Sequence, residues 1–472
     1  MLHRVKAETD PILEISTITD RVSKQPGGGK ALFFEKVRGS EYPVVTNIFG
    51  STKRVCLALE TPGLDDIACR ITELMNQAPP ATLIGKLSFL PRLIEFSRYL
   101  PRTVREAPCQ EVIERDAPDL GRFPILKCWP GDGQPSDEGR FITLPMVFTR
   151  DPETGRQNCG MYRIHVYDRD TTGMHWHIHK DGARHFDKYK ALGLRMPAAI
   201  AVGSDPAVIY SATAPLPEAI DEMLFAGFLR REPVAMVRCL TSEVAVPANS
   251  ELVIEGYIDP EESRLEGPFG DHTGFYSHAD HYPVFHVTCI THRRDLIYPA
   301  TVVGKPPMED CYMAKATERI FLPLMRLDFP EIRDINLPME GVFHNCCLIS
   351  IKKSYPGHAR RVIHGLWGKG QMMFAKLLVV VDDDVDVQDI RYTAWRTLNN
   401  VDWKRDVVVS DGPLDELDHA ASFPRYGAKM GIDATRKSRE EGMTRDWPQE
   451  LFMSEDVVRR VEERWKEYGF LD

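Results

Sequence analysis

The sequence predicts an α/β (α+β) multidomain protein in which a β-rich middle is flanked by mixed α/β regions. Three observations predict it. With 472 residues the chain has room for about three domains at roughly 150 residues each. Strand-length segments follow one another over about 170 residues of the middle, the pattern of a barrel or sandwich. Beyond Asp310 helix and strand patterns alternate again. There Ala375-Lys-Leu-Leu-Val-Val-Val is a short apolar run halted by Asp382, Asp383 and Asp384, as in a strand covered on both faces.

Residues 1–110 read as an N-terminal α/β domain. It contains the β-branched run Tyr42-Pro-Val-Val-Thr-Asn-Ile-Phe and a helical pattern from Leu64 to Gln77, punctuated by Pro79-Pro80. The Pro-rich, charged stretch from Pro101 to Pro124 reads as a linker. Residues 111–305 form the β-rich domain. Strands are expected at 141–149, 160–167, 174–179, 198–202, 250–258 and 283–291, with a helix inserted near Asp221 to Arg230. Residues 306–440 read as a C-terminal α/β domain and 441–472 as a terminal helix. Ser454 is placed to cap that helix, Glu455 and Asp456 sit in its first turn, and Gly469 lies just past its end. Val457, Val461 and Trp465 would share one face, which calls for a partner such as a neighbouring subunit.

Composition excludes several classes. Lys and Arg total 59 against 69 Asp and Glu, a net charge of -10, whereas a nucleic-acid binder needs a basic footprint. No window approaches the roughly 18 to 20 apolar residues that span a bilayer, and the opening residues carry charges where a signal peptide is apolar. A cytoplasmic protein is expected. Ten cysteines show no C-x-x-C pairing and read as reduced, mostly buried thiols.

Three clusters carry chemistry. In Met174-His-Trp-His-Ile-His-Lys, His175, His177 and His179 recur with period two, so on a strand all three face one side. They are either metal ligands or a hydrogen-bonded polar face, and one strand cannot complete a shell. In Asn158-Cys-Gly-Met-Tyr-Arg, Arg163 is either a bidentate clamp for carboxylate or phosphate or, more commonly for an arginine, a surface ion pair worth about 1 kcal/mol or less. In Leu265-Glu-Gly-Pro-Phe-Gly-Asp-His-Thr-Gly, Glu266 and Asp271 flank a turn. Such acids usually solvate the turn. Held together, they would repel until one stays protonated and can act as an acid.

In this order the clusters resemble the UbiD family of reversible aromatic and α,β-unsaturated acid decarboxylases, which use prenylated FMN. Ile351-Lys-Lys-Ser-Tyr-Pro-Gly-His-Ala, Lys429-Met-Gly-Ile-Asp-Ala-Thr-Arg-Lys and Asn47-Ile-Phe-Gly-Ser extend the resemblance over most of the chain. The wording of the acid motif and of the Lys429 segment is most similar to the branch acting on 3-polyprenyl-4-hydroxybenzoate.

The resemblance implies a central split β-barrel of flavin-reductase type between the two α/β domains, with the last helix docking on a neighbouring subunit of a homodimer or homohexamer. It implies that Asn158, His179 and Glu222 hold Mn2+ or Mg2+, and that Ser211, Ala212, Ala214 and Glu222 hold a monovalent ion such as K+. Prenylated FMN, made by a flavin prenyltransferase, would lie along Asn158, Met161, Tyr162 and Arg163, then His175, Trp176 and His177, then Lys180 and Asp181. Arg163, Glu266 and Asp271 would form the catalytic network, with Glu266 giving a proton to the ring carbon after CO2 leaves. An Asp at 271, shorter than Glu, favours a phenolic or other aromatic acid. A prenylated substrate would bring the protein to a membrane surface without spanning it. Two rival readings stay open: a metal-dependent hydrolase or lyase on a cupin-like barrel using His175, His177 and His179, and a flavin-binding relative without decarboxylase activity.

Overall fold

The computed structural model describes residues 1–75, 97–135, 137–176, 181–217 and 220–470. At its centre, nine strands form one sheet that curls into a half barrel, with every pairing antiparallel. The order runs Arg140–Ile142, Ile164–Val166, Thr171–Gly173, Asp280–His292, Leu252–Glu266, Met196–Val202, Pro145–Arg150 and Gln157–Gly160, with Val112–Glu114 on the far part of Asp280–His292. The long hairpin of Leu252–Glu266 and Asp280–His292 slips register after Glu255 and again after Ile258. Such bulges bend a strand and raise its twist, which lets the sheet curl.

In the middle of this sheet both faces are buried, so Pro145–Arg150 and Met196–Val202 read as near-continuous apolar runs. Met146, Phe148, Ala199 and Ala201 point into one core, against the helices Pro206–Ser211, Glu222–Arg230 and Glu309–Asp328. The alternate residues Val147, Ala198, Ile200 and Val202 point into the other, which also takes Tyr162, Met174 and Trp176.

Flanking units close the ends. Leu2–Thr9, Ala31–Val37, Val44–Thr46 and Tyr298–Pro299 make a four-stranded sheet. The C-terminal sheet has Leu377–Asp382 at its middle, parallel to Cys346–Ile351 on one side and Tyr426–Asp433 on the other, with antiparallel edges Ile332–Asn336 and Val407–Pro413. Val379, Val380 and Val381 are buried there, as a doubly covered strand requires.

Several expectations need correction. The 101–124 stretch is not a bare linker, because Arg102–Val104 pairs with Ala235–Arg238 and Val112–Glu114 pairs with Asp280–His292. Of the strand expected at 174–179, residues 174–176 lie past the strand Thr171–Gly173, whose last residue stands opposite Val284, and 177–179 lie outside the described residues. The next partner is Pro283, which has no N–H to donate, so the ladder stops after Met174 N bonds the Pro283 carbonyl. The 141–149 strand is two strands, broken at Thr143 and Leu144. The helix from Leu64 runs to Met75, and Gln77, Pro79 and Pro80 lie outside the described residues. The terminal helix is Glu455–Glu463 followed by a tighter turn at Trp465–Tyr468, and the Ser454 side chain makes no capping bond. Among the described residues no helix is long and apolar enough to cross a membrane.

Candidate active site

The central sheet brings Arg163, Glu266 and Asp271 together. Arg163 follows the strand Gln157–Gly160 on a short irregular link and is buried. Its Nε donates to Glu266 Oε1 at 2.9 Å and its Nη2 to the same oxygen at 2.7 Å, while Nη1 donates to Asp271 Oδ2. Nη2 also donates to Ser277 Oγ at 3.0 Å, and the guanidinium lies 5.0 Å from the Phe269 ring centre. Glu266 is the last residue of its long strand, and the Gly-Pro-Phe-Gly turn carries the chain back so that Asp271 meets the same arginine.

The sequence leaves open whether burial and repulsion between the two acids or the pull of Arg163 sets the Glu266 pKa. The arginine lies between the acids. Burial alone would raise Glu266; the Arg163 and His175 charges and hydrogen bonds outweigh it and hold the group at about 2. Burial works against Asp271 too, and bonds from His272 and Arg163 hold it well below the carboxylate range. Both acids are therefore anionic beside a guanidinium whose own pKa is raised by them against the effect of burial.

His175 sits just beyond the Thr171–Gly173 strand. Its Nδ1 is 2.9 Å from Glu266 Oε1, and its ring packs 4.3 Å from Tyr282. It joins the acid network. Trp176 is buried beside Tyr162, with ring centres 6.5 Å apart and nearly perpendicular. His177, His179 and Lys180 lie outside the described residues. Among the described residues no three His, Cys, Asp or Glu side chains are grouped to hold a metal.

A second feature lies at the other end of the 158–163 run, at most about 18 Å away by chain length. It is a cavity of about 210 Å3 lined by Asn158, Asp181, Glu222, Arg156, Arg184 and Lys188, among others. Glu222 opens its helix after Asp221 has capped it, with Asp221 Oδ1 accepting from Met223 N and Leu224 N. Burial pushes Glu222 up to about 7, and Oε2 accepts the Cys159 amide at 3.1 Å. Asn158 completes its hydrogen bonds with its nitrogen toward Asp181 Oδ2 at 3.3 Å and its oxygen toward the Cys159 amide. The helix Asp181–Leu192, which the sequence reading missed, starts at this cavity. The basic groups of Arg156, Arg184 and Lys188 beside the hard oxygen donors of Asn158, Asp181 and Glu222 fit a phosphate with a divalent cation. Nearby, the Ala212 carbonyl accepts Met161 N at 3.0 Å, the Ser211 hydroxyl donates to Ala207 O at 2.8 Å, and the Ala214 amide bonds Ser211 O at 3.2 Å.

Comparison with known proteins agrees with this architecture along the chain. Family models of 3-octaprenyl-4-hydroxybenzoate carboxy-lyase match in order: the N-terminal domain at residues 1–71, the Rift-related domain at 102–306 and the C-terminal domain at 311–434. The fold and its order of domains are those of a carboxy-lyase. The chain belongs to the UbiD family of decarboxylases.

An uncharacterised protein of Archaeoglobus fulgidus is 50% identical over 468 residues, covering 99% of this chain and 95% of its own. One of Aquifex aeolicus is 49% identical over 469 residues, covering 99% and 96%. Among solved structures, the vanillic acid decarboxylase of Sedimentibacter hydroxybenzoicus in closed form superposes with a TM-score of 0.82 at 28% identity, covering 99% of this chain and 95% of that one. The UbiD-class enzyme HmfF of Pelotomaculum thermopropionicum, in complex with FMN, gives 0.79 at 27% identity, covering 98% and 96%. An evolved dimeric form of HmfF in complex with prFMN gives 0.76 at 27%, covering 97% and 95%.

Proposed function

We propose that this protein reversibly decarboxylates an aromatic acid of hydroxybenzoate type, using prenylated FMN and a divalent cation. The observation that carries the reading is the buried Arg163 between Glu266 and Asp271, at one end of a chain run whose other end, Asn158, lines a cavity of mixed acidic and basic side chains. The action of one structural relative on vanillic acid and the binding of FMN or prFMN by another support it.

In this reading Asn158, His179 and Glu222 hold Mn2+ or Mg2+ against the cofactor phosphate, and Ser211, Ala212, Ala214 and Glu222 hold K+. The ring system lies along Met161 to Arg163, His175 to His177 and Lys180 to Asp181. When bound, the flavin supplies the electron sink that side chains lack. Arg163 orients the substrate carboxylate. A carboxylate that takes the guanidinium edge now held by Glu266 leaves Glu266 with its burial and without its main charge partner, so its affinity for a proton climbs. Glu266 Oε2 is buried and has no hydrogen-bond partner among the described residues, which makes it the oxygen for that proton. Asp271 retains Arg163 throughout. The exposed Leu451, Phe452 and Met453 and the terminal helix dock on a second copy.

The test is expression with and without a flavin prenyltransferase, followed by a visible spectrum and a CO2 assay over hydroxylated benzoates. Coloured protein that releases CO2 only after co-expression supports the reading. Colour without gas would make the chain a flavin-binding relative. Colourless protein active on metal alone would favour the hydrolase.

A further inference from the structure

The acid network does not end at Asp271. Asp271 Oδ1 accepts both the backbone N–H of His272 and its ring Nδ1–H, each at 2.8 Å. The other ring nitrogen, Nε2, stands 2.9 Å from Nε2 of His344, which belongs to the C-terminal unit just before the strand Cys346–Ile351. Phe343 stacks on the His272 ring with centres 5.1 Å apart at 24°. The turn that presents these two residues holds Val342 at φ 44° and Phe343 at φ 52°, a left-handed pair that non-glycine residues avoid and that is concentrated at functional sites. A second contact crosses nearby, where Phe275 packs 4.0 Å from His419.

Two imidazoles facing through Nε2 share one hydrogen, so one donates and the other accepts. We propose that His344 is a positioning residue for the acid network: it accepts from a cationic His272, which offsets the charge of Asp271 and leaves Arg163 free to attract an acid substrate. Without that imidazolium, Asp271 turns to Arg163 for its charge partner, and the guanidinium, already bound to Glu266 beside His175, faces two carboxylates. The surroundings agree. Burial opposes a charge on His272, yet Asp271, with Asp310 and Asp415 further off, raises its pKa; burial and the neighbouring His272 charge lower His344 to about 4 against the pull of Asp415, Asp271 and Asp418.

The kinetic part rests on the decarboxylase reading; the spectroscopic part does not. In the cofactor-free full chain labelled at the histidine ring nitrogens, His272 is expected to titrate above the ordinary imidazole value, and His344→Phe is expected to bring that titration down by about one pH unit through loss of the acceptor. His344→Gln, whose amide oxygen can accept, should restore it. In the reconstituted enzyme His344→Phe should raise KM for the acid about tenfold and move the alkaline limb of kcat/KM to lower pH, with His344→Gln close to the parent. A His272 that titrates at the ordinary imidazole value in all three proteins overturns the proposal. So does an equal loss in both variants with an unmoved alkaline limb. Parent enzyme that releases no CO2 from any acid defeats the function proposed above, while the nitrogen spectra still decide the imidazole pair.

Discussion

Asp132 and Gly270, 138 positions apart, are joined by a hydrogen bond of 2.7 Å from the Gly270 amide to Asp132 Oδ1. The other carboxylate oxygen accepts the amides of Cys128 at 3.1 Å and Trp129 at 2.8 Å. One buried side chain thus fastens the turn between Glu266 and Asp271 to the body of the sheet. Gly270 lets this happen, since a Cβ there would stand 2.1 Å from Cδ1 of Trp129.

Gly270→Ala should therefore push the turn off its seat and separate Glu266 from Asp271. The expected result is a melting temperature several degrees lower and CO2 release down at least about tenfold. Asp132→Ala leaves three buried amides without an acceptor and is expected to cost about 1–3 kcal/mol or more. Thermal melts and a gas assay on both variants check this; a Gly270→Ala protein that matches the parent in both would contradict it.

Arg163→Met is expected to destabilise the fold by about 3–5 kcal/mol, because it takes from buried Glu266 its main charge partner and leaves Asp271 to His272 alone. The sign with pH separates this from a packing loss. In the parent, Glu266 sits at about 2 in the fold against an ordinary 4.5, so its contribution is full above 4.5 and fades as pH falls toward 2. Without the guanidinium, burial raises Glu266 while His272 still holds Asp271; the fold then prefers a protonated Glu266, and the deficit of the variant should shrink as pH drops from 7 to 5. Denaturant melts at several pH values read this directly.

Much of the site was legible because its residues are grouped in short motifs. Asn158 and Arg163 are five positions apart, and Glu266 and Asp271 are separated by a Gly-Pro-Phe-Gly turn that can only fold back. The coupling between the two motifs spans 103 positions and depends on how the sheet curls, which no local pattern encodes. His272 was visible beside Asp271, but its partner His344 lies 72 positions on and follows no periodicity. Residues 174–176 leave the strand pattern because of a cross-strand neighbour, Pro283, which the segment itself does not reveal. The helix Asp181–Leu192 was missed since only Gly182 and Tyr189 are buried, leaving little apolar period to detect.

Glu222→Ala tests the cation reading. Glu222 is a half-buried carboxylate at the cavity whose hydrogen-bond donors among the described residues are backbone amides, and burial keeps it near 7 where a bound divalent ion would hold it charged. Removing it should weaken Mn2+ binding by about tenfold or more, read by electron paramagnetic resonance on the cofactor-free chain. Unchanged Mn2+ affinity would move the cation elsewhere.

Glu266→Gln bears on the proton itself. The amide keeps the size of the side chain and still offers an oxygen to Arg163, so flavin uptake should match the parent, while CO2 release falls by about 10²- to 10⁴-fold with the loss of an acid–base group. Deuterium from solvent should also stop entering the ring carbon of a product incubated with enzyme. The pH profile carries a further signature. With Glu266 near 2 in the unbound protein, kcat/KM is expected to show no limb from this group above about pH 4. Once a substrate carboxylate occupies Arg163, burial dominates, and kcat should acquire a limb at higher pH that the Gln variant lacks. Normal turnover in that variant would remove Glu266 from the proton path and leave His175, 2.9 Å away, as the group to examine next.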